Sequence, residues 1–246
     1  MEEVTANYWE VFGSHLASLV DLHDITSALD VGTGWGDCLI PLAKKIGSKG
    51  EIVGIDIQES AVRKTRLELN KLSMTNVSVE VMDATNLKFQ ENFFDVITCG
   101  FIGFNRYYNF ENNTFRQDQN NPLMKEMHRV LKNQGIIVLS TWKLQEDLEI
   151  VAEMAHDPSK FPGYSKEHEQ GITFLMQDAG FTDIQIEVID YCRVYDSLDD
   201  WWKNKSLIIA RDPNCDSYLA KYERNGRLYF KKSVIYAKGK KEINPF

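Results

Sequence analysis

The stretch Ala28–Asp37, ALDVGTGWGD, decides how this chain is read. Ala28–Val31 is a short apolar strand, Gly32, Gly34 and Gly36 make a turn, and a helix from Asp37 to Ile46 follows at once. In an open α/β sheet, ligands bind at the carboxyl ends of strands near the point where the strand order reverses. Glycines there let the backbone approach a ligand closely, and the helix start offers free N–H groups. Two details separate this corner from a dinucleotide site. The spacing is GxGxG rather than GxGxxG, and an acid, Asp30, stands two residues before the first glycine. A carboxylate there repels a pyrophosphate and suits a ligand that carries an ammonium and a sulfonium.

Outward from that corner, helix and strand patterns alternate to about residue 190. Upstream, Tyr8–Leu22 carries Trp9, Phe12, Leu16, Leu19 and Val20 at helical spacing. Downstream come the strand Glu51–Ile55, the helix Ser60–Leu72 with Ser60 as N-cap, and the strands Val77–Met82 and Phe94–Cys99. The helix Leu123–Leu131, the strand Ile136–Ser140, the helix Glu167–Asp178 and the strand Asp183–Ile189 complete the series. The pattern predicts a doubly wound α/β sheet with helices on both faces. A late strand over 232–238 adds to it antiparallel, giving seven strands. We read a single domain over 1–246, with a helical cap at 1–24, a core at 25–190 and a helical excursion at 191–231. Residues 105–121, NRYYNFENNTFRQDQNN, are far longer than an ordinary connection and read as a lid. Trp201 and Trp202 fall in the excursion, as its core or as a roof over a pocket.

Composition narrows the classes. The chain has 246 residues, 43% hydrophobic and 26% charged, as folded soluble domains have. No apolar run approaches the ~20 residues that span a bilayer, and the acidic start MEEVTANYWE is unlike a secretory signal. The net charge of −8 argues against a nucleic-acid partner. Residues 221–246 are basic, which reads as a solvated edge. Cys38, Cys99, Cys192 and Cys215 are scattered, with no zinc spacing. No metal site is expected, and reduced thiols point to the cytoplasm.

Three more acids or strand ends face the same crevice. Asp56 closes GEIVGID, where a carboxylate accepts both hydroxyls of a ribose. Asp83 in VEVMDATNL accepts from an exocyclic amine, as on adenine. FFDVITCG ends at Cys99 and Gly100. The ordered set DxGxGxG, GIDIQES, VMDATNL, FDVITCG and EMHRVLKNQGIIVLSTW resembles the class I S-adenosylmethionine-dependent methyltransferases, most of all the branch with ubiquinone and menaquinone C-methyltransferases. The resemblance covers about residues 25–190, and 232–238 is similar to the antiparallel final strand of that fold. It implies a Rossmann-like sheet and S-adenosylmethionine as cofactor. It implies that Asp30, Thr33 and the backbone at Gly32, Gly34 and Gly36 hold the methionine moiety. Asp56 would hold the ribose, Ile57 would pack on the adenine, and Asp83 with the Ala84 N–H would read its edge, with Cys99 on the facing strand. Asn133-Gln134-Gly135 departs from the Pro-Gly-Gly turn common in the family and touches no chemistry.

The acceptor is less legible. Methyl transfer demands alignment and desolvation, and a base where a hydroxyl or enol is methylated. Candidate acceptor-side groups are His15 on the first helix, His156 after the fifth strand, and Arg106 and Tyr107 after FFDVITCG. A small-molecule acceptor, with the chain a monomer or homodimer, is the leading reading. A transferase acting on tRNA or protein, and a non-catalytic S-adenosylmethionine-binding protein, are the alternatives.

Overall fold

The computed structural model of the chain describes residues 1–21, 25–116, 120–154, 167–206 and 208–242. It opens with a short strand β1 (Glu2–Val4), then α1 (Tyr8–Ser18), β2 (Ser27–Val31), α2 (Leu39–Ile46), β3 (Glu51–Asp56), α3 (Glu59–Lys71), β4 (Val77–Val81) and β5 (Phe94–Gly100). A two-stranded hairpin follows, β6 (Tyr108–Asn109) and β7 (Thr114–Phe115). Then come α4 (Pro122–Val130), β8 (Leu131–Gln145), α5 (Glu146–Met154), α6 (Glu169–Asp178) and β9 (Phe181–Tyr195). The described chain finishes with α7 (Leu198–Lys205), α8 (Asp216–Leu219), β10 (Glu223–Arg224) and β11 (Arg227–Lys241).

The chain divides into two compact units. The larger comprises Trp9–Thr141, Glu167–Glu187 and Ile235–Phe246; the smaller comprises Met1–Tyr8, Trp142–Lys166 and Val188–Val234. Strand order in the larger unit is β9-β11-β8-β5-β2-β3-β4. Strand β2 pairs in parallel with both β3 and β5, so the order reverses at β2, the position expected for a ligand crevice. The sheet is mixed and mostly parallel, as expected, but it has nine strands rather than seven. The additions are β1, parallel to β9, and β10, antiparallel to β11.

Several boundaries move for identifiable reasons. Helix α3 starts at Glu59, so Gln58 takes the N-cap place assigned to Ser60. Strand β8 extends past the apolar run on both sides, and at its start the register slips between Phe94 and Val96, with the extra residues bulging out around Gln134, φ 65°. Strand β9 runs on to Tyr195, and β11 starts at Arg227, so the helical excursion shrinks to 198–222. Lys232, read as part of a solvated basic edge, lies buried in β11, and Arg193 lies buried in the extension of β9.

The core of the larger unit fills the space between sheet and helices with Leu29, Val31, Ile97, Met124, Ile137 and Ile235, among others. Lys241 is 8% exposed, and its ammonium donates to His128 O (2.8 Å) and Leu131 O (2.9 Å), the free carbonyls at the end of α4. The core of the smaller unit is aromatic: Trp201, Trp202, Tyr195 and Phe230 pack with Ile150 and Val151.

Helix α1 packs without a gap on the segment entering α2. A Cβ on Gly13 would stand 1.8 Å from the Asp37 carbonyl oxygen. Gly13→Ala is therefore expected to destabilise the protein by about 1–3 kcal/mol, the usual cost of overpacking. At roughly 2–4 °C per kcal/mol, thermal unfolding should show a Tm several degrees lower. An unchanged Tm would mean that α1 is not seated at Asp37.

Candidate functional site

The turn between β2 and α2 takes its shape from the end of β3. Gly32 N and Thr33 N both donate to Ile55 O, at 2.8 and 2.9 Å, and Gly36 N donates to Thr33 O. Gly34 N donates to Asp56 Oδ2 and Gln58 N to Asp56 Oδ1, each at 2.8 Å. Thr65 Oγ1 fixes the other side of the turn by donating to Gly34 O at 2.7 Å. Gly32 sits at φ 72°, and a Cβ there would fall 2.5 Å from Ile102 Cγ1, so only glycine fits. The N–H groups of Gly32, Thr33, Gly34 and Gly36 are thus committed within the protein. What the turn offers a ligand is close approach and the two acids beside it.

Asp30 is 1% exposed. Thr98 Oγ1 donates to its Oδ1 at 2.6 Å, while among the described residues neither Oδ2 nor the buried hydroxyl of Thr33 has a partner within hydrogen-bond geometry. Burial pushes the Asp30 carboxyl up to about 6, against the lowering effect of the Thr98 and nearby Thr33 hydroxyls, with the charges of Asp56 and Asp37 adding to the rise. Cys99 pairs in register with Val31 and is fully buried. Burial, then the charges of Asp30 and Glu167, raise its thiol far above the ordinary range, so it is a neutral wall rather than a nucleophile.

The remaining candidates are spread along the strand ends. Asp83 is exposed, and its Oδ1 accepts from both Thr85 N and Thr85 Oγ1 at 2.8 Å. Those hydrogen bonds, with a contribution from the Arg106 charge, lower its carboxyl. Ala84 is half-buried beside it, and Ile57 is 67% exposed. Arg106 is exposed, whereas Tyr107 is buried and its phenol raised by burial. His15 is tied to Glu187 Oε1 at 2.7 Å, and its ring lies tilted against that of Tyr236, with centroids 4.4 Å apart. His156 lies outside the described residues. Residues 104–116 are anchored by Phe104, Tyr107, Tyr108 and Phe110, all buried, with Tyr108 packing edge-on against Phe115.

Sequence reasoning missed two features at the end of β5. Phe101, at φ 56°, holds a left-handed conformation that a bulky residue rarely adopts. Its ring centroid lies 5.1 Å from Trp9 and 5.7 Å from Phe12. The second is Glu167, 1% exposed, which accepts from Phe104 N at 2.6 Å and from Thr141 Oγ1 at 2.5 Å. It ties the segment after β5 to β8. No local pattern announces Glu167, because its partners come from β8 and from the segment after β5, 26 and 63 residues away.

These groups fit the cofactor that the sequence resemblance implies. An unpartnered carboxylate oxygen and an unpartnered hydroxyl, both buried at the glycine turn, call for a polar, cationic group. The two oxygens of Asp56, each accepting one amide, keep lone pairs for hydroxyl donors.

The raised Asp30 carboxyl couples the stability of the fold to pH. A carboxyl at about 6 when folded against an ordinary 3.8 opposes folding once ionised. The stability it permits is present below about pH 4 and lost as pH rises through 6, ~3 kcal/mol at neutral pH. Asp30→Asn should therefore raise Tm at pH 7, and the gain should vanish towards pH 4. An equal Tm difference at both pH values would contradict the burial argument.

Comparison with known proteins agrees with this geometry. Residues 22–204 match the family described as methyltransferase domain. A demethylmenaquinone methyltransferase of Staphylococcus epidermidis is 34% identical over 132 residues, covering 52% of this chain and 48% of that one. The chain thus spans about half the length of the curated relatives it matches. Among solved structures, the YcgJ protein of Bacillus subtilis superposes with a TM-score of 0.64 at 18% identity, over 95% of this chain and 100% of that one. A Haemonchus contortus phosphoethanolamine N-methyltransferase bound to S-adenosylhomocysteine gives 0.57 at 15%, over 93% and 51%. At such identities the solved structures share the fold alone. The family match covers well over half of the sequence, and the chain belongs to the methyltransferase domain family, with the class I fold and S-adenosylmethionine as its cofactor.

Proposed function

We propose that the chain transfers a methyl group from S-adenosylmethionine to a small-molecule acceptor, at the carboxyl ends of β2, β3 and β5. The observation that carries this reading is Asp30, buried at the glycine turn with one oxygen unpartnered. The cofactor, when bound, supplies an electrophilic methyl on a sulfonium. Asp30 and Thr33 hold its ammonium-bearing end, and Asp56 accepts the ribose hydroxyls. Ile57 offers an exposed apolar face to the base, and Asp83 with the Ala84 N–H reads the adenine edge. Cys99 closes the floor as an uncharged group.

On the acceptor side, Trp9, Phe12 and Phe101 make an aromatic cluster at the end of β5. That surface suits an acceptor with an aromatic or apolar part, a class that includes the substrate named for the S. epidermidis relative. Arg106 and Tyr107 belong to the same side, and residues 105–121 act as the cover that excludes water over the acceptor. The anchored aromatics of 104–110 make the root of that cover rigid. No helix among the described residues is long and apolar enough to cross a membrane. The four cysteines are free, which supports a protein of a reducing compartment, the cytoplasm.

Calorimetric titration tests the cofactor half of the reading. S-adenosylhomocysteine should bind with micromolar affinity and NAD far more weakly, and equal affinities would overturn it. In Asp56→Ala the affinity should fall at least about tenfold, since each charge-assisted hydrogen bond lost is worth roughly 1.5–3 kcal/mol. An unchanged dissociation constant in the folded variant would show that Asp56 does not hold the ribose.

A further inference from the structure

The smaller unit buries more positive charge than it balances. Among its described residues the buried charged side chains are Asp147, Arg193, Lys205 and Lys232, one carboxylate against three cations. Asp147 is fully engaged: Oδ1 accepts from Lys232 at 2.7 Å, and Oδ2 accepts from Lys205 at 2.8 Å and from the Tyr195 hydroxyl at 2.7 Å. Burial opposes its charge, and the two ammonium groups overcome this and hold it well below the ordinary range. Arg193 has no carboxylate partner among the described residues. One Nη donates to Val194 O at 2.9 Å, and the guanidinium lies 4.2 Å from the Tyr195 ring and 5.0 Å from the Tyr8 ring.

The hydrogen-bond inventory points the same way. Arg193 Nε and Trp201 Nε1 are buried donors without acceptors. No buried side-chain acceptor of this unit lacks a donor among the described residues. A buried surplus of donors and of positive charge is costly unless an acceptor with negative charge completes it. Burial lowers the Lys232 ammonium, and the nearby charges of Lys205 and Arg193 add to this, partly offset by Asp147. The amine lies 4.9 Å from the Trp142 ring and 5.9 Å from the Tyr8 ring, both half-buried, so the cluster reaches towards the surface behind two aromatic side chains.

We propose that Arg193, Lys205 and Lys232 form a binding site for the anionic group, carboxylate or phosphate, of a small molecule. The planar fork of Arg193 suits the paired oxygens of either group, and the lysines supply point charges beside it. The site lies wholly in the smaller unit and does not rest on the methyl-transfer reading.

Thermal unfolding of the intact chain, without S-adenosylhomocysteine and at constant ionic strength, tests it with inorganic phosphate and with malonate as probes. A saturable rise in Tm with one or both probes, absent with chloride, is expected, and the stronger probe identifies the group. Arg193→Lys keeps the charge and loses the fork, so half-saturation should move up about tenfold while calorimetric affinity for S-adenosylhomocysteine stays as in the wild type. Lys232→Met removes a point charge from the site, so its Tm should rise less with the probe than that of the wild type, each compared with its own value in chloride. A Tm that ignores anion identity overturns the proposal. So does a probe response that survives in both variants, which would put the anion elsewhere.

Discussion

The amides of Gly32 and Thr33 share one acceptor, Ile55 O, and the next free amide, that of Gly34, goes to the Asp56 carboxylate. Through these bonds the end of β3 sets the path of the turn after β2. The glycines make that path sterically possible, but the hydrogen bonds choose it. Asp56 is therefore both a brace and a receptor, and the order of the turn is coupled to whatever the carboxylate holds. Asp30 depends on the same constraint. It stays buried because the turn folds over it, and its spare oxygen stays unpartnered because the amides that might have served it are used by β3. A cationic ligand meets a charge that the protein has kept away from water at a cost to its own stability, a common arrangement at working sites.

What was legible in the sequence was local. Strand, glycine turn and helix follow one another within ten residues, so the fold class, and the places of Asp30 in β2 and Asp56 at the end of β3, could be read directly. What was not legible depends on partners far along the chain. Thr98 lies 68 residues from Asp30, and Glu187 lies 172 residues from His15. Composition also misleads where aromatic and amide residues mix. The stretch after β5 reads as polar, yet Phe104, Tyr107, Tyr108 and Phe110 are all buried. The extension of β9 was missed for a related reason: Arg193 interrupts the apolar alternation, and the aromatic ring its guanidinium lies against, that of Tyr195, does not announce the contact in the sequence.

The basic end of the chain shows how little a charge count says about location. Lys231 pairs with Asp190 at 2.6 Å, Arg227 with Asp196 at 3.1 Å and Lys238 with Asp21 at 2.5 Å, all exposed or partly exposed pairs that solvent screens. Lys241 is of another kind, buried against the end of a helix, where it satisfies backbone carbonyls left without amide partners. Residues of one type on one strand thus serve as surface pairing, as helix termination and as an interior charge.

The place of β11 bears on how the chain is assembled. It stands between β8 and β9 in the larger unit, although both are synthesised before it. Until residues 227–241 have left the ribosome, β8 and β9 each present an open edge, and such edges invite pairing with other chains. The sheet can close only by threading its last-made strand into a gap already flanked by finished neighbours, a non-local step that slows folding. Loss of even a few residues from this segment would leave two edges exposed at once, so the price of truncation is aggregation rather than a local fraying of one end.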